Sequence, residues 1–471
     1  MSAPKFKPLP LDISEDEPFK HDILSRQESG EVLCSFISSL TEPFVLAINS
    51  PWGTGKTTFL KMWQHQLRKL GFSSLYFNAW ESDFSESPLV SLIGELGDGI
   101  ESLRLGGEQH KTAIKVYQKT KKAGAALLKT ALPAAIKLAT AGILDLNSVT
   151  EADLGKLAEN IAEKQIEKYG AAKKTISGFR KQLEDLVKVL SEATDDKVPK
   201  PVVFVIDELD RCRPTYAVEL LEKVKHLFSV NGLVFVLAID REQLTESVKA
   251  LYGSGFDAEG YLKRFIDLDF CLPDPNHEKF VDAQFDRFAL SESLESKVGD
   301  TRDDGAGLRE VLPQLFSLFG FSLRTQEQYF THLSIIFRTT PPSSYIYSFL
   351  VALLLCLRIT NRKLYFAYCS GRAGSIEVLE YLRSLRGGDD LLDSHTGTII
   401  EAYLIKGIRN DKKRSATVDA YLKKGKLAAS TNEHDHLRAK AVSDHFQWIG
   451  RTSRDMTAYL FKKIELAQRF V

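Results

Sequence analysis

The residues best suited to chemistry first appear between Ser50 and Thr57, which read SPWGTGKT. Two glycines flank one residue, followed by a lysine and a threonine, and this spacing suits a turn that cradles an anion. Gly53 and Gly55 supply the permissive backbone and the close approach. Through Gly53, Thr54, Gly55, Lys56, Thr57 and Thr58, backbone N–H groups would curl around phosphate. The Lys56 amine would reach the β and γ phosphates, and the Thr57 hydroxyl would coordinate Mg²⁺. A helix opening at Thr57 would aim its positive dipole end at the same charge. The pattern G-x-x-x-x-G-K-[ST] is met except at its first position, where Ser50 stands for glycine. Pro51 biases Ser50 toward extended geometry, so serine is tolerable there if the turn needs no positive φ. Trp52 also sits inside the loop.

A second group lies in PVVFVIDELDRCRP, Pro201 to Pro214. Val202 to Ile206 form a β-branched and aromatic run of the kind that fills a fully buried parallel strand, and Asp207, Glu208 and Asp210 follow at its carboxyl end. Asp207 would hold Mg²⁺ through water, and Glu208 would polarise an attacking water. Hydrophobic strands ending Asp-Glu are common, but one paired with a loop like Gly53 to Thr57 points to nucleoside triphosphate chemistry.

The elements needed to position these groups are legible around them. Pro43 to Ile48 is an apolar run of strand length ahead of the loop, and TTFLKMWQHQLRKL behind it carries Phe59, Leu60, Trp63, Leu67 and Leu70 at helical spacing. A short strand is expected within Ser73 to Phe84, and a buried one over Gly232 to Asp240, ending in Asp240. Helices are expected around Val32 to Leu40 and over TYAVELLEKVKHLFSV. Alternating strands and helices with the loop on the first strand predict an α/β fold, a doubly wound and mostly parallel sheet with its ligand at the carboxyl edge. The chain divides into an N-terminal arm (1–21), a core (22–272) with a helical insertion at about 87–192, a helical lid (273–357) and a helical C-terminal interaction region (358–471).

Composition sets outer limits. With 62 basic and 62 acidic residues, no global charge argues for nucleic acid or acidic membranes. The basic clusters KTKK, AAKK and DKKRS are too short to claim a nucleic-acid surface and read as ordinary helix faces. The five cysteines are scattered with no C-x-x-C pair and no signal-peptide pattern precedes them, which favours a reducing, cytoplasmic setting. Tyr345 to Leu357 is apolar but too short to span a bilayer, so a buried helix is expected. Ala123 to Leu146 is long enough, but Lys129, Pro133 and Lys137 make it a poor span. Membrane insertion is not expected, which leaves peripheral contact as the alternative. His434 to His436 (HDH) reads as a solvated loop without a metal-ligand set. Trp63 and Trp80 are expected in the core.

Taken in order, SPWGTGKTTFL, YFNAWESDFSESPL, FVIDELDRC, FVLAIDREQL and GYLKRFIDLDFCLP resemble the motifs of the KAP family of P-loop NTPases, over roughly Asp22 to Phe330. Tryptophan in the loop is typical of that family, so Trp52 is a family feature among the nucleotide-binding residues and only Ser50 departs. The resemblance implies Lys56 and Thr57 on phosphate and Mg²⁺, Asp207 on the metal and Glu208 as base. Asp210 and Arg211 complete a DxxDR-like signature. It further implies Asp240 as a γ-phosphate sensor, Arg324 in the FSLRTQEQYF lid near the phosphates, and Arg264 as an arginine finger offered to a neighbouring subunit of a homo-oligomer. ATP is implied as the nucleotide, since no guanine-selecting N/TKxD motif follows the last strand. Bacterial members often serve in anti-phage defence beside effector proteins, so the resemblance implies an ATP-driven conformational or assembly switch acting on an effector encoded nearby. The alternatives are a scaffold that binds nucleotide without hydrolysing it and a small-molecule kinase.

Overall fold

A computed structural model describes residues 5–6, 13–103, 105–140, 151–192, 199–295, 301–342, 347–426, 433–447, 449 and 456–470, with backbone alone at 130–140, 151–169, 301–306 and 433–434. Five strands form one wholly parallel sheet: β1 (Phe44–Asn49), β2 (Ser74–Asn78), β3 (Val202–Asp207), β4 (Leu233–Ile239) and β5 (Leu268–Cys271). Their order is β2-β3-β4-β1-β5, so β4 lies between the strand that feeds the glycine loop and the strand that ends in Asp207. The expected doubly wound α/β sheet is therefore present. β5 was not anticipated, because its four residues are largely exposed and carry no run of buried apolar side chains.

β3 and β4 are buried along their whole length, and β1 at all but its two end residues, because both faces of the sheet are covered. Leu46, Ile48, Val203, Val205, Val234 and Val236 pack with α1 (Gln27–Ser38) and α2 (Lys56–Lys69). The intervening Val45, Ala47, Phe204, Ile206, Phe235 and Leu237 join the other core, with α3 (Pro88–Ser102), α4 (Gly107–Thr140), α5 (Glu151–Ser191), α6 (Pro214–Leu227), α7 (Arg241–Tyr252) and α8 (Ala258–Leu262). The alternation follows the two-residue period of the strand. Helix α2 opens at Lys56, one residue before the expected Thr57.

The helical insertion comprises α3, α4 and α5. Gly97 of α3 lies against the Tyr117 ring of α4, whose hydroxyl donates to the Ile93 carbonyl at 3.0 Å. Thr120 Oγ1 in turn donates to the Gln182 carbonyl of α5 at 3.1 Å. Of the stretch Ala123 to Leu146, residues 123–140 belong to α4 and 141–146 lie outside the described residues. No described helix is long and apolar enough to cross a membrane. Residues 1–4 and 7–12 of the expected N-terminal arm also lie outside the described residues.

The chain divides into a sheet unit, residues 11–22 and 26–274, and a helical unit, residues 1–10, 23–25 and 275–471. The helical unit contains α9 (His277–Phe288), α10 (Leu290–Glu295), α11 (Thr301–Leu318), α12 (Leu323–Arg338), α13 (Ser348–Thr360), α14 (Arg362–Cys369), α15 (Ser375–Ser384), α16 (Gly388–Asp393), α17 (His395–Lys406), α18 (Asp411–Lys424), α19 (Glu433–His445) and α20 (Met456–Ala467). One apolar core runs from Val281 to Ala467, so residues on both sides of position 357 share it. The apolar run expected as a buried helix is α13, buried from Leu350 to Leu357; Tyr345 and Ile346 lie outside the described residues. The HDH triplet is not a loop. It opens α19, where Asp435 pairs with Lys424 at 3.0 Å and His436 Nδ1 lies 3.0 Å from the Lys424 carbonyl.

Candidate functional site: a phosphate loop facing two carboxylates

The turn between β1 and α2 takes the conformation its glycines permit. Gly53 and Gly55 have φ of 77° and 87°, in the region that disfavours side chains, and Gly55 is the N-terminal cap of α2. Ser50 is not among the residues with positive φ, so the missing first glycine leaves no strain. Its backbone N–H donates to the Ile239 carbonyl at 3.1 Å. Its buried hydroxyl lies 2.7 Å from Thr54 Oγ1, which itself donates to the Pro51 carbonyl at 2.8 Å. Because Thr54 has spent its one proton on Pro51, Ser50 is the donor between the hydroxyls. Serine here adds a bond across the loop that glycine could not make.

Lys56 is buried, and its ammonium donates to the carbonyls of Ser50 and, at 3.1 Å, Pro51. Burial lowers its pKa, while Asp210, Asp240 and Asp207 pull the other way. The side chain thus spends two of its three N–H donors on the loop itself. Thr57 is half-buried, Thr58 is exposed, and the Thr57 hydroxyl makes no hydrogen bond among the described residues.

Across β4, Asp207 ends β3 with its carboxylate buried. Oδ2 accepts from the Tyr76 hydroxyl at 2.9 Å and Oδ1 from the Glu208 N–H at 2.9 Å. Burial beside Asp207 raises the Tyr76 pKa, so the phenol stays a donor. Glu208 has a φ of 59°, an unusual conformation for a side-chain-bearing residue, and its carboxylate pairs with Arg211 at 2.9 Å. Burial raises the Glu208 pKa, the Arg211 cation lowers it, and Asp207 raises it again. Arg211 lies over the Trp80 ring at 5.8 Å.

The two halves of the site are tied by Trp52, Asp210 and Asp240. The Trp52 indole N–H donates to Asp210 Oδ2, which also accepts from the Asp240 N–H at 2.9 Å. Asp240 Oδ2 accepts from the Trp52 N–H at 3.1 Å, while Oδ1 caps α7 by accepting from Gln243 N at 3.4 Å. Asp210 is 5% exposed, and burial raises its pKa against the bonds from Trp52 and Asp240. The tryptophan inside the loop is therefore a hydrogen-bond donor to the turn after β3.

Of the residues singled out by sequence, Gly53 to Thr58, Asp207, Glu208, Asp210, Arg211 and Asp240 gather at the carboxyl ends of β1, β3 and β4. Arg264 stands on the exposed turn after α8, with no ion pair to its guanidinium among the described residues. Arg324 lies in the helical unit, exposed in the first turn of α12. Trp63 is fully buried, with its N–H 3.2 Å from the Gly30 carbonyl. Trp80 is not a core residue: it is 53% exposed, because the polar loop after β2 leaves the sheet at Asn78. Sequence reasoning missed Tyr76, Arg26 and the bond made by Ser50. Only Tyr76 left a signal, a polar tip two residues before the end of a strand paired in register with Asp207.

The chain is 26% identical over 164 residues to the phage T7 exclusion protein of Escherichia coli strain K12, a match covering 35% of this chain and 22% of that protein. The ORC2 protein of Aeropyrum pernix, solved with ADPNP and ADP, superposes loosely, with a TM-score of 0.32 and 11% identity over 94% of this chain and 93% of that one. A DNA replication initiation factor superposes with a TM-score of 0.22 and 12% identity over 90% of this chain and 93% of that one. The family model of the KAP family P-loop domain matches residues 28–364, spanning both the glycine loop and the Asp207 strand. The chain belongs to the KAP family of P-loop NTPases.

Proposed function

We propose that the protein binds and hydrolyses Mg²⁺-ATP and uses the cycle as a conformational or assembly switch. The observation that carries this reading is the convergence of a buried lysine in a positive-φ glycine turn with an Asp-Glu pair on the far side of β4. An arriving polyphosphate offers Lys56 better acceptors than the Ser50 and Pro51 carbonyls, and charge-assisted bonds are roughly twice as strong as neutral ones. The donor set suits a hard cation, because Thr57 offers a hydroxyl without a protein partner among the described residues and Asp207 a carboxylate with lone pairs to spare. Mg²⁺ held there would neutralise phosphate charge. Tyr76 and the Glu208 N–H orient the Asp207 carboxylate, and Glu208, once released from Arg211, accepts a proton from water. Arg264, exposed on its turn, is offered to a second copy of the chain.

The relative in Escherichia coli is named for phage exclusion, and by that likeness we extend the proposal to a phage-related role acting through an effector protein. The Glu208–Arg211 pair favours one rival, a scaffold that holds nucleotide without turnover, because it occupies the base. The experiment is ATP turnover by wild type, Lys56→Ala and Glu208→Gln, with mass photometry with and without Mg²⁺-ATP. Wild type should turn over. Glu208→Gln should lose about 10²–10⁴-fold yet keep the ATP-dependent change of mass. Binding without turnover in wild type, with or without candidate effectors, would establish the scaffold instead.

A further inference from the structure

Arg26 precedes α1 and is 1% exposed, the largest buried cationic side chain of the sheet unit. Its Nη1 donates to the Thr54 carbonyl in the phosphate loop at 2.8 Å, and its Nη2 to the Pro273 carbonyl at 3.0 Å. Burial lowers its pKa to about 10 against the nearby Asp22 and Asp274 carboxylates, so it stays a cation at neutral pH. Asp22 Oδ2 accepts from the Arg26 and, at 2.9 Å, the Gln27 N–H, which holds the backbone at this point.

The placement is unusual in two ways. The Thr54 carbonyl and the Gly55 N–H belong to one planar trans peptide and point in opposite directions. A donor clamped on that carbonyl therefore directs the Gly55 N–H away from Arg26 and fixes one member of the anion cradle. The chain also passes from the sheet unit to the helical unit between Asp22 and Ile23, returns between Ser25 and Arg26, and leaves again between Asp274 and Pro275. Arg26 is the first residue of the returning chain and bonds the second-last residue of the departing one. Its guanidinium is a rigid planar fork, so one side chain cannot follow a shift of the Thr54 peptide without pulling on, or breaking from, Pro273.

We propose that Arg26 is a positioning residue through which occupancy of the phosphate loop is felt at Pro273 and Asp274, where the chain leaves the sheet unit. The proposal rests on the reading that this loop binds nucleotide. Irregular backbone from Leu272 to Asn276 is the responding element, and the Pro273 and Asp274 side of it is exposed.

Hydrogen exchange of the full chain with and without a Mg²⁺-bound, non-hydrolysable ATP analogue tests it. In wild type the analogue should change exchange at the loop amides Gly53 to Thr57 and, by about threefold or more, at Leu272, Asp274 and Asn276. Arg26→Lys keeps the charge but cannot span both carbonyls, and at saturating analogue its loop should respond while the Leu272 to Asn276 change is lost. Arg26→Gln should behave alike with analogue affinity weakened about tenfold. If Arg26→Gln fails to fold, the lysine variant alone decides. Equal responses at Leu272 to Asn276 in wild type and Arg26→Lys overturn the coupling and leave nucleotide binding intact. No response at the wild-type loop overturns the nucleotide reading, and the coupling with it.

Discussion

Trp52→Phe keeps an aromatic ring in the loop and removes one N–H, leaving the buried Asp210 carboxylate with the Asp240 N–H as its remaining described donor at that oxygen. A hydrogen bond to a charged group contributes about 1.5–3 kcal/mol, and the lower figure applies because the indole is 43% exposed. In a unit of this size a loss of about 1.5 kcal/mol lowers Tm by roughly 3–6 °C. The sharper test is a cycle with Asp210→Ala, which removes the acceptor. Asp210→Ala alone should cost more than Trp52→Phe, since it also orphans the buried Asp240 N–H. Added on that background, Trp52→Phe should cost almost nothing, giving a coupling of about 1.5 kcal/mol in thermal scans of the four proteins. Additive losses, within about 0.5 kcal/mol, would show that the indole and the carboxylate act independently and that the tryptophan does not hold the two halves of the site together.

Two other outcomes follow from packing and titration. Glu208 must be deprotonated to accept a proton, and burial raises its pKa while Arg211 lowers it. ATP turnover should therefore fall on the acid side above the ordinary carboxylate range, and Arg211→Ala should move that limb to still higher pH; a limb that stays put would remove Arg211 from the control of Glu208. A Cβ at Gly97 would run into the Tyr117 hydroxyl, so Gly97→Ala should cost about 1–3 kcal/mol and speed proteolysis of α4, whereas unchanged cleavage would mean that Tyr117 swings clear.

What the sequence made legible was carried by long apolar runs and by fixed spacing. β3 and β4 were readable because both faces are buried, which demands β-branched and aromatic residues without interruption. The glycine loop was readable because Gly53 and Gly55 meet a backbone requirement that few residues can replace. β5 escaped because an edge strand has no such demand, and its Asp269 pairs instead with Arg241 at 2.5 Å. Trp80 was misread because hydrophobicity alone cannot distinguish a core ring from one standing over Arg211 in solvent. Arg26 lay beyond reach for a different reason. Its partners, the Thr54 and Pro273 carbonyls, are backbone atoms present at every residue, so no side-chain pattern announces them.

The strand between β1 and β3 also acts as a ruler. Neighbouring strands are roughly 4.8 Å apart, so the glycine turn and the Asp207–Glu208 pair are held at about twice that spacing by β4. Carboxylates on an adjacent strand would crowd an anion seated in the turn, while a strand in between leaves them further apart. The spacing is set by backbone hydrogen bonds and does not depend on any side chain at the site. Substitutions there can thus change the chemistry without resizing the gap, whereas a lesion in the middle of β4 would detune every contact across it at once.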